Sequence, residues 1–535
     1  MEGSTRVARA VIAELVKAGV STFVLCPGSR SAPLAYALGD AADAGVITLH
    51  IETDERVAGF IALGSGVAGK PAAVVTTSGS AVANLHPAVE EANYAGVPLI
   101  VLAADRPHER RGVRASQTAD HRAVLDGSVR FVTDIPADAP EVRGQVVRAV
   151  RKATGAEPGP ALINVAFREP LVPGHTWSSA AADCAPDQPE PGRHPVVVSG
   201  PSVRSQLAAH THLREHLRER VPRLADVPIL AEPTGELRAH PNAVSAHPYL
   251  LRTPLRARID SVIVLGHPTL TRDVSAILAD PAVAVFAVDE GAGYTDAAGT
   301  AHVTTLDEVN ELLAQADPQW LQDWRDASAL ADAAIEGEIG AELTFPTIAR
   351  ALTASPVPTQ LAASSIIREV NLYGGVPAGP LFANRGLAGI DGTISTAIGT
   401  SIALGEPVRV VVGDLALIHD LGALVRGAGQ TIPGLDVVVI DDHGGSLFAT
   451  LEYGAGPEAA YDRAFRTEKE LDVEALARAL GVEFLAPANL AEFTEALATV
   501  GGVRIVYVDL GRTAMADERA ARRDLADAIV RALVP

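Results

Sequence analysis

Two apolar runs, each closing on an acid, constrain this chain more than anything else in it. The first is Val410-Val411-Val412-Gly413-Asp414-Leu415. The second is Val437-Val438-Val439-Ile440-Asp441-Asp442-His443-Gly444-Gly445. Unbroken β-branched runs of this kind suit parallel strands buried on both faces. Carboxylates at the carboxyl ends of such strands stand where open α/β sheets bind ligands. Two carboxylate oxygens and a turn carbonyl suit a hard ion such as Mg²⁺, which keeps water and substrate phosphate as its other ligands. Asp414 and Asp442 therefore point to a metal-bridged phosphate ligand. On these residues alone, the alternative is a pair of ordinary strand-end turns.

Strand-like and helix-like segments alternate along the whole chain, which predicts α/β architecture with mostly parallel central sheets. Expected strands include Thr22–Leu25, Ala72–Thr77 and Pro98–Ala103 in the first third; Val196–Pro201 and Ser261–Gly266 in the middle each read as a strand followed by a turn. The last third adds Val503–Val508 to the two acid-tipped runs, and an Ala-rich helix is expected over Trp320–Ala341. A polar, proline-bearing stretch over Pro173–Pro195 and a second near Ala354–Pro358 have linker composition. At 535 residues the chain is too long for one core. Three α/β domains are expected, over residues 1–180, 193–345 and 355–535, the first and third being candidates for a common fold.

A net charge of −21 argues against nucleic acid and anionic membranes as partners, since both reward basic surfaces. Anionic small molecules remain open to it, because a local arginine cluster can outweigh the global charge. Only Cys26 and Cys184 are present, so no disulfide framework is expected and a reducing cytoplasm is the simplest home. The start of the chain reads as a mixed amphipathic helix rather than a signal segment, and no apolar run is long enough to span a bilayer. Gly64-Ser65-Gly66-Val67-Ala68-Gly69 matches the dinucleotide glycine pattern, but that motif needs a strand before it and a helix after it. Here the order is reversed, so a helix terminus near a tight packing contact is expected.

Far upstream, His50-Ile51-Glu52-Thr53-Asp54-Glu55-Arg56-Val57 reads as a strand end running into a helix, with Glu55 at or near its first turn. A strand-end Glu, then a Gly-Asp turn, then an acidic turn ending in Gly resembles the thiamine-diphosphate enzymes. A narrower resemblance lies in Cys26-Pro27-Gly28-Ser29-Arg30-Ser31-Ala32-Pro33-Leu34, Thr77-Ser78-Gly79-Ser80-Ala81-Val82-Ala83-Asn84-Leu85, Ala104-Asp105-Arg106-Pro107 and Asn384-Arg385-Gly386-Leu387-Ala388-Gly389-Ile390-Asp391-Gly392. These segments resemble the 2-succinyl-5-enolpyruvyl-6-hydroxy-3-cyclohexene-1-carboxylate synthase family of menaquinone biosynthesis. The resemblance runs from about Thr5 to the C-terminus and is weakest in the middle third.

The resemblance implies a thiamine-diphosphate fold with pyrimidine-binding, central and diphosphate-binding domains. It implies that Glu55 hydrogen-bonds the cofactor's aminopyrimidine and takes part in catalysis, a role that burial among apolar neighbours would favour. It makes Asp414, Asp442 and the Gly444 carbonyl the ligands of Mg²⁺ (Mn²⁺ being possible), with Asp441 the nearest competitor of Asp442 and His443 a turn residue. Leu415, Leu447 and Phe448 complete the cofactor contacts. Ser29, Arg30, Arg106, Gln117, Ser364, Arg368 and Arg385 fall at substrate positions, and Arg30, Gln117 and Arg385 join Glu55 as catalytic candidates. Converging guanidinium groups suit polyanionic substrates. Arg272 sits near a Lys-Arg site of the family, with Thr271 in the expected Lys place, which weakens the case for a contribution from the middle domain.

The implied reaction decarboxylates 2-oxoglutarate and adds the succinyl carbanion equivalent to isochorismate. Arg368 and Arg385 are assigned to the succinyl carboxylate, and Arg30, Arg106 and Gln117 to isochorismate. A homodimer or homotetramer with sites at the subunit interface is implied as well. The nearer alternative is another thiamine-dependent 2-oxoacid decarboxylase or acetolactate-type ligase, which would have less need of the arginines. A nucleotide- or flavin-binding oxidoreductase, resting on the glycine pattern, is the more distant one.

Overall fold

The computed structural model describes residues 3–186, 190, 192–201, 217, 219–289, 293–425 and 432–533. The expected linker over Pro173–Pro195 therefore lies partly outside the described residues. So do the first two and last two residues of the outer domain spans, and parts of the central and C-terminal ones. The chain divides into two compact units, Met1–Pro189 with Ala298–Ala301, and Glu190–Ala297 with His302–Pro535.

The first unit is built on six parallel strands: β1 (Thr22–Leu25), β2 (Thr48–Ile51), β3 (Ala72–Thr76), β4 (Leu99–Asp105), β5 (Phe131–Ile135) and β6 (Pro160–Ala166). Their order is β2-β1-β3-β4-β6-β5. Successive side chains of a strand point to opposite faces, and both faces here are covered. Phe23, Leu25, Val75, Ile100, Leu102 and Ile163 enter one core. Val24, Val74, Leu99, Val101 and Leu162 enter the other. That double burial is why the four inner strands, β1, β3, β4 and β6, read as unbroken apolar runs, while the edge strands β2 and β5 are more exposed. The helix Glu55–Val67 follows β2, and the glycine pattern closes it: Ala68 N–H bonds to the Gly64 carbonyl and Gly69 takes φ +77°. A Cβ at Gly66 would stand 2.5 Å from the Pro98 carbonyl oxygen, so this is a helix end in a tight contact, as its context predicts.

The second unit carries two sheets. The smaller comprises β7 (Pro195–Ser199), β8 (Ile229–Ala231), β9 (Ser261–Leu265), β10 (Ala284–Val288) and β11 (His302–Thr304), ordered β11-β10-β9-β7-β8. The larger comprises β12 (Thr359–Leu361), β13 (Leu381–Ala383), β14 (Val408–Gly413), β15 (Leu435–Asp441), β16 (Glu483–Leu485) and β17 (Val503–Asp509). Its order, β13-β12-β14-β15-β17-β16, repeats that of the first unit's sheet strand for strand, so the first and last thirds share one topology. A long helix spans Pro318–Glu338, three residues short of its expected end.

Beneath the larger sheet lies a buried charge cluster. Asp436 on β15 pairs with Arg409 on β14 at 3.0 Å and with Arg504 on β17. Arg409 also donates to Ser355 Oγ at 2.8 Å and to the Leu497 carbonyl at 2.7 Å. Every charge in the group thus meets a hydrogen-bonding partner, the condition under which buried ions are tolerated. No helix among the described residues is long and apolar enough to cross a membrane.

Candidate active site

Strands β14 and β15 are neighbours, with Gly413 in register with Ile440. Each ends in an acid at the same edge of the sheet. Asp414 opens the helix Asp414–His419, and Asp442 stands in the turn just past β15. A cavity of about 340 Å³ opens there, lined by Ser364, Arg368, Asp414, Leu415, Asp442, Gly444, Leu447 and Phe448, with Ile390, Ile440 and Leu451 among its apolar walls. Eight of the residues singled out in the sequence thus face one space.

The two acids are both desolvated and repel each other. Burial pushes the Asp414 carboxyl up to about 6; the Leu415 and Gly444 N–H groups pull it down while Asp441 raises it further. Burial likewise pushes Asp442 up to about 7, against a hydrogen bond from the Ser446 hydroxyl and with the Asp414 charge adding to the rise. Two desolvated carboxylates that repel each other gain most from a divalent ion held between them. The donor set therefore fits Mg²⁺. Gly444 is held at φ +115°, and a Cβ there would stand 2.3 Å from the Arg466 carbonyl oxygen, so only glycine fits the turn. It is the Gly444 N–H that faces Asp414, while its carbonyl accepts from the Ser446 N–H at 2.9 Å.

Asp441 and Asp442 differ sharply. Asp441 accepts from the Tyr507 hydroxyl at 2.7 Å and from the His443 N–H at 2.9 Å, and is not among the cavity's lining residues. His443, at φ +60°, sets its ring nitrogens 3.1 Å from Glu468 and 3.1 Å from Asp509. Burial lowers its pKa, but these acids outweigh burial and the net shift is upward. It is a turn residue.

Arg368 and Arg385 come from separate segments of the second unit. Arg368, on the helix Ser365–Tyr373, donates to the Ser364 carbonyl at 2.7 Å. Burial and the neighbouring Arg385 charge hold its guanidinium below the ordinary arginine value. Arg385 is only 5% exposed and, unlike Arg368, is not among the cavity's lining residues. It donates to Thr269 Oγ1 at 3.0 Å, leaving Nε and Nη1 buried without a partner. Nearby is a residue that the sequence reading missed, Glu232, just past β8. Its Oε1 accepts from the N–H groups of Thr269 at 2.7 Å and Leu270 at 2.6 Å. Burial pushes this carboxyl up to about 7, although Leu270 N–H, Arg385, Thr269 N–H and Arg368 all pull it down. The signal was present: Ile229-Leu230-Ala231-Glu232 is a third apolar strand ending in an acid. Arg272, by contrast, is largely exposed and pairs with Glu452 at 2.8 Å, away from the cavity lining.

In the first unit, Arg30 donates to the Phe167 carbonyl at 2.9 Å and to Glu169 at 2.8 Å. Arg106 donates to Ser78 Oγ and to the Gln117 carbonyl, the latter at 2.8 Å. Burial and the Arg30 charge lower the Arg106 pKa, which places the two arginines within range of each other. Gln117 is held at φ +58° over Gly79, where a Cβ would meet its Cγ at 3.1 Å. Ser29 is exposed on the loop between Cys26 and Arg30. Arg30, Arg106 and Gln117 thus lie on the loops after β1 and β4, beside Ser78 and Gly79 of the loop after β3. Below Gly79, His121 Nε2 accepts from its N–H at 3.2 Å, and Nδ1 lies 2.8 Å from Asn164 Oδ1.

Glu55 is the first residue of its helix, which Asp54 caps by accepting from Arg56 N–H at 2.9 Å. Asn84 Nδ2 donates to Glu55 Oε2 at 3.0 Å. Glu55 is half-buried. Cys26 lies close enough for Glu55 to help, after burial, in pushing its thiol up to about 12.

Residues 5–124 match the family model described as thiamine pyrophosphate enzyme, N-terminal TPP binding domain, and residues 372–509 match the corresponding C-terminal TPP binding domain. Among curated proteins, the chain is 41% identical to a 2-succinyl-5-enolpyruvyl-6-hydroxy-3-cyclohexene-1-carboxylate synthase from Kineococcus radiotolerans, over 96% of this chain and 97% of that one. A protein of the same name from a Nocardioides species is 39% identical over 100% and 98% of the two chains. One from a Mycobacterium species is 40% identical over 90% and 92%.

Proposed function

This chain belongs to the 2-succinyl-5-enolpyruvyl-6-hydroxy-3-cyclohexene-1-carboxylate synthase family of thiamine-diphosphate enzymes, and we propose that it decarboxylates 2-oxoglutarate and joins the succinyl unit to isochorismate in menaquinone biosynthesis. The observation that carries this reading is the single cavity in which Asp414 and Asp442 face Ser364 and Arg368. It brings a diphosphate–metal cradle next to a cation suited to a substrate carboxylate.

Asp414, Asp442 and the second lone pair of the Gly444 carbonyl would hold Mg²⁺, or Mn²⁺ in its place, and Leu415, Leu447 and Phe448 would line the cofactor's ring side. When bound, thiamine diphosphate supplies the electron sink for decarboxylation. The protein's own groups do the rest. Arg368 and the unpartnered donors of Arg385 take the succinyl carboxylate in the bidentate manner that guanidinium groups favour. Arg30, Arg106 and Gln117 orient isochorismate, with Ser29 at the edge of that group. Glu55 holds and returns a proton at the cofactor's pyrimidine, kept in place by Asn84. The apolar walls of the cavity exclude water from the reacting centre.

Glu55 belongs to one compact unit and Asp414 to the other. We assign them to a site completed between two copies of the chain, giving a homodimer or a dimer of dimers. In support, Val57, Phe60 and Ile61 are 39%, 44% and 38% exposed on the helix that Glu55 begins, an apolar face suited to burial against a second copy. Two free, buried cysteines suit a reducing cytoplasm.

The test is the loss of isochorismate absorbance in the presence of 2-oxoglutarate, Mg²⁺ and thiamine diphosphate, with each left out in turn. Loss that needs all of them is expected. Release of CO₂ from 2-oxoglutarate or pyruvate with isochorismate untouched would keep the cofactor and overturn the acceptor.

A further inference from the structure

Glu232 is a nearly fully buried acid with no place in the chemistry above, yet it lies within electrostatic range of both arginines assigned to the substrate. The linkage is geometric. Its Oε1 accepts from Thr269 N–H at 2.7 Å and Leu270 N–H at 2.6 Å, which fixes the loop after β9. The hydroxyl of the same Thr269 accepts from Arg385 Nη2 at 3.0 Å, which fixes the guanidinium. Arg385 is then left with Nε and Nη1 buried and unpartnered. A buried cation with two open donors is costly unless an anion completes it.

We infer that Glu232 is a positioning residue for the carboxylate subsite: acting through Thr269 it aims Arg385, and by its ionisation it grades how strongly the Arg368–Arg385 pair attracts an anion. This rests on the assignment of those arginines to the succinyl carboxylate. The charged groups that face Glu232 are Arg385, from the loop after β13, and Arg368, from the helix Ser365–Tyr373. From β7, the Ser199 carbonyl accepts its N–H at 2.8 Å. On the loop after β9, the ring of His267 is engaged 3.0 Å from Thr295 Oγ1. Glu369, beside Arg368, is paired with Arg522.

Both N–H bonds fall on Oε1, so Oε2 can gain or lose a proton without releasing the loop. When Oε2 carries a proton, the arginine pair presents two uncompensated positive charges to substrate. When it ionises, a negative charge arises beside them and the pull on an incoming carboxylate weakens. Burial places this change near neutral pH. Affinity for a succinyl carboxylate therefore falls as pH rises through about 7, while the aim of Arg385 is unchanged.

The experiment is calorimetric titration of succinate into the protein at pH 6.0 and 8.5, with Mg²⁺ and thiamine diphosphate raised until the cofactor site is saturated at each pH. Wild type is expected to bind about tenfold more weakly at the higher pH. Glu232→Gln keeps an amide oxygen for both N–H groups and loses the charge. It should bind equally well at both pH values, close to wild type at pH 6.0. Thr269→Val keeps the backbone bond to Glu232 but removes the hydroxyl that holds Arg385. It should bind about tenfold more weakly at both pH values with the pH dependence intact. A Glu232→Gln protein that retains the wild-type pH dependence overturns the grading. A Thr269→Val protein of unchanged affinity overturns the aiming. No succinate binding by wild type at either pH overturns both. If succinate binds as expected while isochorismate is never consumed, the enzymatic assignment fails and the role of Glu232 stands.

Discussion

Tyr507 donates its hydroxyl to one oxygen of Asp441 over 2.7 Å, and the His443 N–H takes the other at 2.9 Å. Both oxygens of Asp441 are thereby spent on the turn, and the next residue, Asp442, is the one that faces the cavity. The two adjacent acids should separate cleanly on mutation. Asp442→Ala should abolish Mg²⁺-dependent binding of thiamine diphosphate in a calorimetric titration. Asp441→Ala should retain binding but lower the stability by about 1–3 kcal/mol, since it strands two hydrogen-bond donors. Cofactor binding lost in Asp441→Ala and kept in Asp442→Ala would reverse the assignment.

Asp414 and Asp442 carry pKa values of about 6 and about 7, both raised from 3.8. A carboxyl raised on folding imposes no penalty below its unfolded value. The penalty grows as pH rises and is complete above the folded value. The cofactor-free protein should therefore lose this part of its stability between about pH 4 and pH 7. Binding of Mg²⁺ needs both groups ionised, so the thermal shift produced by Mg²⁺ and thiamine diphosphate should be small at pH 5.5 and large at pH 8. An equal shift at both would count against these acids as the ligands.

Glu55 accepts from Asn84, so the two should lose activity by different amounts. Glu55→Gln should bind cofactor normally and lose on the order of 10²–10⁴ in kcat, the usual range for a positioned proton-transfer group. Asn84→Ala leaves the carboxyl present but less well held, and a loss of about tenfold in kcat is expected. Steady-state rates at saturating cofactor decide this; full activity in Glu55→Gln would remove it from the mechanism.

Asp436 is wholly buried between Arg409 and Arg504. Its replacement by Ala would leave two buried guanidinium groups without their counter-ion, at a cost of about 3–5 kcal/mol. Urea denaturation should show this as a lowered midpoint, with cofactor affinity at low denaturant little altered. A loss under 1 kcal/mol would mean that the arginines find other partners.

The frame of the site was legible in the sequence for a simple reason. Strands buried on both faces leave unbroken apolar runs, so Val410–Val412 and Val437–Ile440 announced both the sheet and the acids at its edge. Motif segments then marked Glu55, Arg30, Arg106, Arg368 and Arg385. What escaped was set by tertiary contact. The choice between Asp441 and Asp442 depends on a tyrosine more than sixty residues away in the chain. Glu232 and Thr269 belong to the middle third, where the family motifs are weakest, and reach Arg385 only through the packing of loops after β8, β9 and β13. Asn84 lies in a quoted motif, but its bond to Glu55 joins residues from two separate helices.

The two acids of the cradle stand just past the ends of adjacent parallel strands whose backbones are in register up to Gly413 and Ile440. Neighbouring strands keep a spacing of about 4.8 Å whatever side chains they carry. The sheet thus acts as a ruler that mutation of side chains does not reset. Substitution in this protein can alter the reach of the Asp442 carboxylate through the short turn from Asp442 to Ser446, where the Ser446 hydroxyl donates to it and Gly444 holds φ +115°. It can reshape substrate choice through the loops that carry the arginines. The strand ends beneath the acids are untouched by changes in the arginine loops, so the acceptor side can diversify without moving the strands under the cofactor cradle.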